Sequence, residues 1–102
     1  MGKKKYRTAN IIIQTILEGI IRAERNRANE KKGIVKSHLI DYCNLKTSTA
    51  EKYLSKLVNA GYIDSYEESW GERTINIYRT TEKGRERYEW FVKINTEMGE
   101  EI

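Results

Sequence analysis

Proline is absent from the 102 residues, and cysteine, histidine and phenylalanine occur once each. Without proline there is no rigid polyproline spacer and no cis-prolyl turn, so changes of direction fall to glycine, asparagine and short polar runs. Cys43 has no intrachain partner for a disulfide, and with His38 it makes too small a donor set for a structural metal site. A reducing, cytoplasmic setting is expected. The apolar run Ile11 to Ile21 is broken by Gln14, Thr15, Glu18 and Gly19. It reads as neither a membrane span nor a signal sequence, despite the basic start Lys3, Lys4, Lys5 and Arg7. No glycine-rich phosphate loop and no paired carboxylates or nucleophile–base arrangement occur in the pattern, so no enzyme and no cofactor are expected. Cys43 and His38 are more than one helical turn apart; Cys43 reads as a small buried apolar residue, and His38 as a surface histidine before a phosphate contact.

What is present is charge, unevenly placed. Residues 1–46 carry eleven Lys or Arg against four Asp or Glu, and residues 47–102 carry eight against eleven. The first part is therefore +7 and the second −3, which suits a molecule that offers a polyanion one end and turns the acidic end away. Single lysines in such a pattern are more often just a solvated face.

Hydrophobic periodicity predicts a first helix from about Thr8 to about Asn26, capped near Thr8 or Asn10, with Ile12, Ile13, Ile16, Leu17, Ile20 and Ile21 as its core stripe. Ile11 falls beside that stripe, at an edge or a partner surface. A polar loop to Gly33 carries a second basic cluster, Arg25, Arg27, Lys31 and Lys32. Ile34 and Val35 can form a very short strand. A second helix then covers about Lys36 to Cys43, with Leu39, Ile40 and either Tyr42 or Cys43 inward, and Asn44, Leu45 and Lys46 make a turn plugged by Leu45.

The third helix begins at Thr47, read as its N-cap, and Gly61 ends it as a left-handed residue. Ala50, Tyr53, Leu54, Leu57 and Val58 fall on one face at three- and four-residue spacing. Ser48, Thr49, Lys52, Ser55, Lys56 and Asn59 are left on the other, short hydrogen-bonding or cationic groups suited to phosphates and base edges. Strands over 62–67 and 74–79, joined by the six residues Glu68 to Arg73, complete the motif with a wing that carries Trp70, Gly71 and Arg73. Glu67, Glu68 and Glu72 argue against deep insertion of that wing into a groove. Trp70 can equally pack over the sheet.

Thr80 or Thr81 caps a final helix, with Glu82 complementing its dipole and Gly84 marking a close backbone approach. Gly84, Tyr88, Phe91, Asn95, Met98 and Ile102 step by four and three; Trp90 and Ile94 run beside them. A small core can use only one such stripe, so Tyr88, Phe91, Asn95 and Met98 are read as a homodimer interface. The competing reading wraps both stripes around the first helix.

The fold class is accordingly α+β, mostly α: a basic arm at 1–7, a winged helix-turn-helix at 8–80 with three helices and a two-stranded wing, and a C-terminal helix at 81–102. The segments NLKTSTAEKYLSKLVNAGYI (Asn44 to Ile63) and YRTTEKGRERYEWFVKINTEM (Tyr78 to Met98) make the chain resemble small archaeal winged-helix DNA-binding proteins, in particular the group that dimerises through an antiparallel coiled coil of its last helix. The resemblance implies a dimeric binder of double-stranded DNA, a transcriptional regulator or a chromatin-like protein; a viral or plasmid repressor of this fold is equally compatible. The chain departs from the group after Met98, where Gly99, Glu100, Glu101 and Ile102 follow, so any dimer seam is only a few turns long.

The resulting expectation is a major-groove reader. Thr47, Ser48, Thr49, Lys52, Ser55 and Lys56 face the DNA, Lys36, Ser37 and Lys46 hold phosphates with the amino-terminal lysines, and Arg73 reaches from the wing. A second hypothesis is a protein-interaction adaptor using the acidic wing with Trp70, Trp90 and Phe91. Single-strand RNA binding is weaker, because no one sheet face gathers stacking aromatics. No membrane and no metal are expected as partners.

Overall fold

The computed structural model describes residues 7–26 and 33–99. The arm residues Lys3, Lys4 and Lys5, the loop residues Arg27, Lys31 and Lys32, and Ile102 lie outside the described residues. Four helices and a small sheet follow in the order α1 (Ala9–Arg25), β1 (Ile34–Val35), α2 (Lys36–Cys43), α3 (Thr47–Asn59), β2 (Ile63–Trp70), β3 (Arg73–Thr80) and α4 (Glu82–Glu97). The sheet is antiparallel in the order β1-β3-β2, so the short strand before α2 closes against the wing through Ile34–Tyr78 and Val35–Ile77.

Thr8 caps α1 by accepting from the Ile11 amide, and Thr81 caps α4 by accepting from Gly84. Asn44 ends α2 in the left-handed region at φ 54°, and Gly61 follows α3 at φ 81°. Thr47 is the first helical residue of α3 rather than its cap; Lys46 holds that position with no side-chain bond, since a lysine has no acceptor to offer the amides.

One core joins α1 to the helix-turn-helix and the sheet. Ile12, Ile16, Leu17 and Ile20 of α1 pack with Leu39 and Cys43 of α2, Leu54 and Leu57 of α3, and Ile63 and Tyr78 of the wing strands. Two core expectations need correction. Ile11 is buried, not an edge residue, and Val58 is exposed at the rim of a groove between α3 and the sheet.

The wing is longer and tighter than its polar sequence suggests. Strand pairing continues through Glu68–Ile75, Ser69–Thr74 and Trp70–Arg73, so the six-residue loop shrinks to a two-residue turn, Gly71 and Glu72. Gly71 has φ 65°, as the first central position of a II′ hairpin turn requires.

The last helix lies along α1. Gly84 is there because a Cβ would run into the Tyr62 carbonyl. Tyr88 and Phe91 pack against the core cluster, and Asn95 is buried with its Nδ2 donating to Gln14 Oε1 at 2.6 Å and to the Asn10 carbonyl at 3.3 Å. The seam expected to meet a partner is therefore turned inward, because the chain's own first helix needs that stripe; among its members only Met98 is well exposed. The apolar groups left outside are Trp90, Ile94 and Met98, with the Arg87 guanidinium 4.4 Å from the Trp90 ring centre. Two carboxylate bonds tie the ends together: Glu24 of α1 accepts from the Thr80 amide at 2.7 Å and from its hydroxyl at 2.6 Å.

Candidate nucleic-acid interface

Helix α3 buries Ala50, Leu54 and Leu57 and half-buries Tyr53, which turns Ser48, Lys52, Ser55 and Asn59 to the opposite side. All four are exposed, as are Thr47 and Lys56, while Thr49 is half-buried on the flank. The Lys52 and Lys56 ammonium groups sit 6.0 and 5.7 Å from the Tyr53 ring centre, so one aromatic ring attracts two exposed cations.

Beside this face the structure gathers residues that are distant in sequence. Lys36 and Ser37 of α2, Thr47 at the start of α3 and Arg73 at the start of β3 line one open cleft of about 410 Å³, together with Glu51 and Asn76. The short strand β1 makes this possible: it docks on β3 and launches α2 directly from the sheet, so the wing root and two helix beginnings converge. Lys46 stays exposed in the turn at the same end of α3. The cleft thus brings Lys36, Ser37, Thr47 and Arg73 together. Ser55 and Lys56 lie farther along α3, outside that cleft.

Lys36 has a carboxylate beside it. Its ammonium lies 2.7 Å from Glu51 Oε2, and this hydrogen bond raises the lysine pKa above its usual value. A lysine held this way has a carboxylate partner within the chain. Periodicity could not show this, because the pair spans the turn and joins two different helices.

Arg7 belongs to the basic cluster near the start of the sequence. It donates from Nη1 to the Cys43 carbonyl at 2.7 Å and from Nη2 to the Asn44 carbonyl at 2.8 Å, capping the end of α2. The bond fixes the chain entering α1 to the turn that precedes α3. No local signal marks it, since the partners are 36 and 37 positions away.

At the wing tip Trp70 is exposed, and its indole Nε1 donates to Glu68 Oε1 at 2.7 Å. Arg79 covers Tyr66 at 5.0 Å on the same sheet face by register. Cys43 is fully buried, and desolvation pushes its thiol up to about 11, which leaves it unreactive at neutral pH. His38 is exposed. Among the described residues no group of three or more His, Cys, Asp or Glu is placed to hold a metal ion, and no helix is long and apolar enough to cross a membrane.

Three helices, a turn ahead of an exposed polar α3 and a hairpin closing on a short strand define a winged helix. The chain belongs to the winged helix-turn-helix family, whose model matches residues 6–99. Among solved structures it is similar to the PcaV transcriptional regulator from Streptomyces coelicolor, crystallised with its natural ligand, at 16% identity and TM-score 0.70 over 94% of this chain and 60% of that one. A MarR transcriptional regulator from Methanosarcina mazei Go1 is similar at 27% identity and TM-score 0.56, over 89% of this chain and 68% of that one. The zinc-responsive MarR family member ZitR of Lactococcus lactis is similar at 18% identity and TM-score 0.57, over 99% and 67%. The chain spans about 60% of the length of the Streptomyces regulator. No curated protein matches it. The fold is that of MarR-like transcription regulators.

Proposed function

We propose that the chain is a duplex-DNA-binding transcription regulator that lays α3 in the major groove and sets its wing against the flanking backbone. One observation carries the reading: Ser48, Lys52 and Ser55 stand exposed on the face of α3 opposite its buried stripe and Lys56 is exposed on its flank, with Arg73 and Thr47 on the adjoining cleft. Short hydroxyls and flexible cations on the outer face of a rigid helix suit base edges and phosphates. Lys46 and the amino-terminal lysines add backbone contacts, and the acidic wing keeps Arg73 at the phosphates rather than deep in a minor groove.

The regulator acts as a homodimer in this reading. The partner surface is the outward stripe of α4, Trp90, Ile94 and Met98, which the first helix leaves uncovered. Two copies related by a two-fold axis would present two α3 helices to half-sites about one helical turn apart.

The test is a gel shift against random duplex at low salt, with the free protein's mass measured by light scattering. Retention that weakens with salt, and a mass of two chains, support the proposal. No retention, with an unrelated protein co-purifying in fixed ratio, would replace it with the adaptor role.

A further inference from the structure

Glu51 is the only acid on α3, and its place on that helix is unusual for a surface meant to meet a polyanion. It lies in the second turn, at the edge of the outward face, one helical step from Thr47, Ser48 and Ser55. A glutamate there would repel phosphate if left alone. It is not left alone: Lys36, projecting from the first residue of α2, reaches across the turn to Oε2 at 2.7 Å. The pair forms the ridge between two open grooves, one toward the wing root with Ser37 and Arg73, the other toward β2 with Ser55 and Ser65. Half of the Glu51 side chain remains exposed. Oε2 is held, so Oε1 keeps its lone pairs for another donor.

We infer that Glu51 is a base-reading residue whose carboxylate, neutralised and aimed by Lys36, accepts a hydrogen bond from the exocyclic amine of a cytosine in the major groove. Among major-groove edges the cytosine amine is the donor that acidic side chains characteristically meet, whereas guanine offers only acceptors. The first turns of a recognition helix also approach the base edges most closely. Lys36 is therefore a positioning residue in this site: its charge cancels the carboxylate's repulsion from nearby phosphates and fixes one oxygen, leaving the other to read. The raised pKa of Lys36 fits that assignment, since the Glu51 carboxylate favours the charged form of the lysine. The Lys52 and Lys56 ammonium groups, by contrast, stand over the Tyr53 ring.

The inference rests on the DNA-binding reading above, and its test separates the two. Binding-site selection on random duplexes is run in parallel with the parent, Glu51→Ala, Glu51→Gln and Lys36→Met, each checked for cooperative melting. The parent is expected to select a C·G pair at one position of its site, about five- to tenfold over other pairs, the lower range for a base-edge contact. Glu51→Ala loses the preference at that position alone. Glu51→Gln shifts it toward A·T, because an amide can donate to adenine N7 while accepting from its amine. Lys36→Met weakens binding to all sequences, and its salt slope matches the parent's, because Lys36 neutralises Glu51 and not a phosphate. An unchanged motif in Glu51→Ala, or uniformly tighter binding with no change of motif, overturns the inference and leaves the DNA reading standing. Salt-sensitive binding by the parent without any selected motif does the same. A parent that binds no duplex at all removes both.

Discussion

Replacing Glu24 with alanine removes both oxygens that hold the end of β3. The carboxylate accepts from the Thr80 amide at 2.7 Å and from its hydroxyl at 2.6 Å, and Thr80 is itself buried. Arg85 donates to the same hydroxyl at 3.1 Å and to the Thr80 carbonyl at 3.2 Å, so the variant leaves a buried amide without an acceptor while Arg85 stays in place. Hydrogen bonds to a charged group contribute about 1.5–3 kcal/mol each, and the two here share one acceptor group and do not add fully. A loss of about 2–4 kcal/mol follows, which for a domain of this size lowers the melting temperature by roughly 10–20 °C. Glu24→Gln keeps one acceptor oxygen and should lose about half as much. Urea titration followed by circular dichroism measures both, with Glu86→Gln as a control. Its ion pair with Arg87 is 3.5 Å long and exposed, so that substitution should change stability by less than about 0.5 kcal/mol. If Glu24→Ala unfolds within about 0.5 kcal/mol of the parent, the junction of α1, β3 and α4 is not held by this carboxylate.

Other consequences can be measured in the same way. Gly84→Ala forces a Cβ onto the Tyr62 carbonyl and should cost at least about 2 kcal/mol in urea titration; a neutral effect would mean that α4 can shift from the wing at little cost. Burial raises the Cys43 thiol from its ordinary 9.0 to about 11, so the native state holds this proton longer than the unfolded chain does. The stability it contributes is complete below pH 9 and lost as pH rises through 11, amounting to about 2.7 kcal/mol at most, and Cys43→Ala should flatten the decline over that range. Arg7→Ala deletes two charge-assisted bonds at the end of α2 and should cost about 1–2 kcal/mol by thermal melting. A Trp90→Lys, Ile94→Lys pair alters only exposed side chains on α4 and should yield a one-chain mass with nearly parental melting; a persistent two-chain mass would move the interface elsewhere.

Local rules carried much of the fold. Helix α2 ends where the sequence places it because Asn44 takes the left-handed turn, and α3 stops ahead of Gly61 for the related reason that glycine adopts positive φ without strain. The alternation of apolar positions in α1 and α3 located most of the core. What sequence could not show was decided by contacts between distant positions. Glu68, Ser69 and Trp70 look like loop residues one at a time, yet become strand because Ile75, Thr74 and Arg73 face them across a two-residue turn. The four-and-three stripe of α4 is equally suited to a partner or to the chain's own first helix, and Asn95 settling on Gln14 shows which one claimed it. In the candidate interface, the outward face of α3 was legible as a polar stripe. The capture of Lys36 by Glu51 and of Arg7 by the α2 end was not, since both depend on the angle at which helices meet.

The measurement closest to the central claim is the salt dependence of duplex binding for the parent and a Lys52→Ala, Lys56→Ala double variant. Each lysine that neutralises a phosphate contributes about 0.9 to the slope of log affinity against log salt. Loss of both should flatten the slope by about 1.8, alongside weaker binding at low salt and unchanged melting. A double variant that binds as tightly as the parent with the same slope would take α3 off the DNA.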